Sequence, residues 1–126
     1  MPLAQFSVDH GPHTMDGLRL SALDGSAPVE AFISRVRPGL TVWLHQPYAL
    51  IDDSQGPRRA EQLLSRATGL PLERLVDYPG SAIGWEDHLI PGSAFDLELP
   101  GGQLSGSIAH RYAEAIRLLA RTYANR

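Results

Sequence analysis

Between Pro38-Gly39 and the turn residues that begin at Gln46 lies a nearly continuous apolar run, Leu40-Thr41-Val42-Trp43-Leu44, ending in His45. A β-rich run with no polar face is the pattern of a strand covered on both sides, as in a parallel sheet between helical layers. The flanking sequence supplies such helices. After Pro28 the apolar residues Val29, Phe32, Ile33 and Val36 fall at i, i+3, i+4 and i+7, with Ser26 as a candidate cap. Arg58 to Thr68 carries Ala60, Leu63, Leu64 and Ala67 at helical spacing and stops at Gly69. Ser105 to Ala124 puts Ile108, Tyr112, Ala115, Ile116, Leu119 and Tyr123 on one stripe.

A second strand is expected at Ala94 to Leu99, where Phe95, Leu97 and Leu99 alternate with Asp96 and Glu98. Leu72 to Asp77 is a further short strand candidate, Tyr78-Pro79-Gly80-Ser81 a turn, and Ala82 to Ile90 a brief helical or irregular piece. Gln46 to Pro57 reads as turn, given Pro47, Asp52, Asp53, Ser54 and Gly56. Residues 1–27 show no sustained period and read as an irregular N-terminal segment. Helix, strand, helix, strand, helix implies an α/β fold with a mostly parallel sheet flanked by helices. With two or three strands the sheet is partial, so an open edge is expected to need a neighbour, either a second copy in a homodimer or a missing N-terminal half.

At 126 residues the chain is one domain, large enough to bury a core without the disulfides that zero cysteine forbids. The net charge is −3, and all 11 basic residues are scattered arginines, so nucleic acid is not an expected partner. The first residues have no basic start or apolar stretch, and no apolar run reaches membrane-spanning length, so no membrane partner and a cytoplasmic location are expected.

Two residues stand out chemically. His45 closes a buried strand where α/β sheets place ligands and reactive groups; it is either such a group or a strand cap bonded to backbone. Glu98 is costly if desolvated, so it is either a functional carboxylate or a solvent-facing residue of an edge strand, as the neighbouring Asp96 allows. Trp85 either lines a pocket or packs. His88 and His110 read as surface residues.

In this order the segments Thr41-Val42-Trp43-Leu44-His45-Gln46-Pro47, Tyr78-Pro79-Gly80-Ser81-Ala82-Ile83-Gly84-Trp85 and Ala94-Phe95-Asp96-Leu97-Glu98-Leu99-Pro100 resemble the zinc carboxypeptidase family. They are most similar to its bacterial branch that trims cell-wall peptides, the murein peptide amidase type. The resemblance covers roughly residues 28–124 and implies the C-terminal half of that family's three-layer domain across residues 28–126. It implies zinc as cofactor, His45 as the third metal ligand and Glu98 as the catalytic general base. It also implies Tyr78 as the substrate-contacting tyrosine and Ile83 at the base of the specificity pocket, favouring an apolar or neutral side chain. The implied reaction is cleavage of an amide bond next to a free carboxylate in a peptide or murein peptide.

The sequence departs from the family's pattern in two respects that matter for activity. The first two zinc ligands come from His-x-x-Glu upstream of the third, and no His-x-x-Glu occurs in the 126 residues. The asparagine and arginine that grip the substrate carboxylate are also missing. His10-Gly11-Pro12-His13 is a poor substitute, since Gly-Pro prevents helical presentation of the two imidazoles. The alternative expectation is therefore a truncated, inactive remnant that serves as a binding or interaction module.

Overall fold

The computed structural model describes residues 27–53, 56–75 and 81–124. The irregular segment, with His10 and His13, and the loop with Tyr78 lie outside the described residues. The elements are α1 (Ala27–Val36), β1 (Thr41–His45), β2 (Tyr48–Asp52), α2 (Arg58–Thr68), β3 (Leu72–Glu73), α3 (Ala82–Leu89), β4 (Ala94–Pro100) and α4 (Gly106–Ala124). Their boundaries follow local chemistry. Gly69 ends α2 in the left-handed region at φ 78°, donating its N–H to the Ser65 carbonyl. Ser81 caps α3 by accepting from the Gly84 N–H at 3.0 Å.

The four strands form one sheet in the order β1-β4-β2-β3. β1 pairs with β4 and β2 with β3 in parallel, while β2 runs antiparallel to β4. Two findings correct the sequence reading. The stretch assigned to turn contains β2, whose Leu50 and Ile51 are buried. β4 is an interior strand, flanked by β1 and β2, so the solvent-facing edge reading of Glu98 is wrong and its side chain is buried.

Alternation along the strands sends side chains to two different cores, giving three layers. On one face Phe95, Leu97 and Ile51, with Val42 and Leu44, pack against Ala60 and Leu64 of α2 and Tyr112, Ala115 and Leu119 of α4. On the other, Trp43 and Ala94 pack against Val29 and Ile33 of α1 and Ala82, Ile83 and Trp85 of α3. This accounts for the unbroken apolar character of β1, which faces helices on both sides. Glu86 of α3, fully buried, accepts from Thr41 Oγ1 at 2.5 Å and Trp43 Nε1 at 2.9 Å. It pins α3 to β1, in the strand that ends at His45. Burial raises its pKa, and the hydrogen bonds from Thr41, Trp43 and Ser93 oppose that rise.

α2 carries a second buried carboxyl, Glu61, 1% exposed. Burial foremost, then the neighbouring Asp53 and Asp52, push its pKa up to about 7 from 4.5. The folded chain thus keeps a proton that the unfolded chain releases, and stability falls as pH rises from 4.5 to about 7. At roughly 1.4 kcal/mol per pKa unit the fall is on the order of 3 kcal/mol. Glu61→Gln is expected to flatten this part of the curve when urea unfolding is followed across that range. Parallel curves for variant and wild type would contradict the assignment.

Candidate functional site

The parallel register sets His45 opposite Glu98 and Trp43 opposite Asp96. Residues at matched positions of neighbouring strands point to the same face, so His45, Asp96 and Glu98 converge on the face shared with α1 and α3. His45 Nδ1 is 3.2 Å from Asp96 Oδ1 and 3.6 Å from Glu98 Oε1, with side chains 11%, 14% and 5% exposed. Leu50 lies opposite Glu98 on its other side, an apolar neighbour that helps keep water from the carboxylate. Beyond His45, the Gln46 side-chain amide donates to the carbonyls of Pro100 at 2.8 Å and Gly102 at 3.0 Å, fastening the end of β1 to the end of β4.

The His45 pKa is raised. The Asp96 carboxylate beside Nδ1 contributes most, burial opposes it, and the charges of Asp96 and Glu98 add to the rise. His45 thus has two carboxylates beside it, which the strand-cap reading did not include.

His45 and Glu98, the two residues singled out from sequence, are brought together. Ile83 is 4% exposed, buried in the α1–α3 core with Trp85, whose surroundings there are those of a packing residue. Tyr78 lies outside the described residues. The residue that sequence reasoning passed over is Asp96. Its i, i+2 relation to Glu98 was a usable signal, since both must share a face, but only the position of β4 inside the sheet makes that face a site.

The donor set suits a divalent metal. Imidazole nitrogen and carboxylate oxygens are ligands for zinc at bonds of about 2.0–2.2 Å, which separates neighbouring ligand atoms around a tetrahedral ion by roughly 3.3–3.5 Å. The 3.2 and 3.6 Å separations bracket that value, and ligand atoms of all three residues lie within 4.8 Å of one another. Asp96 Oδ1 is also shielded from solvent beside the His45 imidazole, an acceptor suited to a cation. Among the described residues no helix is long and apolar enough to cross a membrane.

No family model matches the chain, and no curated protein matches it. A solved structure does: the murein-tripeptide amidase MpaA from Escherichia coli O157 is similar over 79% of this chain, at 25% identity and a TM-score of 0.56. The match covers 40% of that chain, so this sequence spans well under half of its length. With helices on both faces of the sheet and this neighbour, the chain shares the zinc carboxypeptidase-like α/β fold of that murein-tripeptide amidase.

Proposed function

We propose that the chain belongs to a hydrolase of the amidase or peptidase type that cleaves an amide bond next to a free carboxylate in a peptide or murein peptide. The observation that carries this reading is the pairing of His45 with Glu98 at matched positions of β1 and β4. Zinc, when bound, polarises a carbonyl and lowers the pKa of water towards neutrality. His45 would hold the metal through an imidazole nitrogen. Glu98, buried beside it, takes the proton from water and delivers it to the departing amine. Leu50 and the burial of the carboxylate keep bulk water from competing for that proton. Tyr78 steadies the substrate.

The test is hydrolysis of a murein tripeptide with added zinc, beside the same peptide with its terminal carboxylate amidated. Cleavage of the free acid alone, abolished by a chelator, is expected. Equal cleavage of both peptides, or of neither, contradicts the reading. A second reading is a module that binds peptide without turnover. Peptide binding without cleavage is its distinguishing outcome.

A further inference from the structure

Asp96 has no role in the hydrolase reading, yet it is the carboxylate nearest to His45. Its Oδ1 lies 3.2 Å from Nδ1, against 3.6 Å for Glu98 Oε1. The two side chains form an ion pair when the imidazole is protonated, and Oδ1 is shielded from water. A buried carboxylate oxygen in that position needs a cation beside it, which a metal ion supplies when the imidazole is neutral.

We propose that Asp96 is a metal ligand, forming with His45 a two-donor clamp for a divalent transition ion through Oδ1 and Nδ1, while Glu98 stays outside the clamp as proton acceptor. Three features carry this. The Nδ1–Oδ1 separation is about the edge of a zinc tetrahedron. Asp96 has a short side chain on a strand held on both sides, which fixes its oxygen better than a loop would. Glu98 is farther from Nδ1 and more deeply buried. The proposal deepens the hydrolase reading and rests on it for the part that Glu98 plays.

Cobalt(II) and zinc(II) titrations of the 126-residue chain test it, with calorimetry and the visible cobalt spectrum as readouts that need no turnover. Wild type is expected to bind one ion, and Asp96→Asn and His45→Ala are each expected to weaken binding by at least the ~10–100-fold that loss of even an outer partner of a ligand costs. Glu98→Gln is expected to keep the affinity and the cobalt spectrum. To guard against a misfolded variant, manganese(II) is added to wild type, where broadening of amide resonances should centre on His45 and Asp96. Wild-type affinity in Asp96→Asn, no binding by wild type, or loss in Glu98→Gln equal to that in Asp96→Asn overturns the proposal. Metal binding that follows this pattern without peptide cleavage leaves the proposal standing and sinks only the hydrolase reading.

Discussion

Glu98→Gln is expected to lower kcat/KM for a murein tripeptide by about 100- to 10,000-fold, the usual contribution of a positioned general base. Glutamine has nearly the same shape but no basic oxygen, so the change removes proton transfer and little else. The carboxylate sits on an interior strand, 5% exposed, 3.6 Å from His45. Replacing a buried charge by a neutral group relieves desolvation, so the melting temperature should not fall sharply. The combination is diagnostic: a folded variant with lost turnover identifies Glu98 as the proton acceptor. A folded variant with wild-type turnover would place the base elsewhere.

Phe95→Ala is expected to destabilise the fold by about 3–5 kcal/mol, the range for truncating a fully buried aromatic ring. Phe95 is 0% exposed and lies in the core formed by β2, β4, α2 and α4. Its ring is packed closely enough that a Cβ added to Gly56 would come within 2.9 Å of Cδ1. Neighbours held by the sheet on one side and two helices on the other have little freedom to close the cavity. Since domains of this size are stable by about 5–15 kcal/mol, the loss is a large fraction of the whole. Urea unfolding measures it directly. Leu118→Ala, 44% exposed on α4, is the control and should stay within about 0.5 kcal/mol. Similar midpoints for the two variants would contradict the placement of Phe95 at the centre of the core.

Elements with a strong local period were the legible ones. α2 runs over Arg58–Thr68 as its apolar spacing and Gly69 indicate, because both the stripe and the left-handed stop are local properties. α4 and β4 are similar cases, with strong periods of 3.6 and 2. β2 was hidden. Its five residues sit between Pro47 and Asp53, and Ala49 adopts a left-handed φ of 52°, so neither composition nor regular alternation marks it. Its partners are β4 and β3, supplied by residues distant in sequence. Strand pairing of that kind leaves no local trace.

The site divides along the same line. By itself the sequence determined that a histidine ends a doubly buried strand and that two carboxylates share one face of another, because burial pattern and side-chain alternation are written in residue order. Family resemblance then singled out His45 and Glu98. The tertiary structure alone decided that β4 lies between β1 and β2, in parallel register with β1. That register turns Glu98 from a potential surface residue into a buried neighbour of His45 and draws Asp96 to 3.2 Å from the same nitrogen. Register is set by the simultaneous packing of both sheet faces against helices, since a slip of one residue would drive Asp96 and Glu98 into the apolar core and Phe95 and Leu97 out of it.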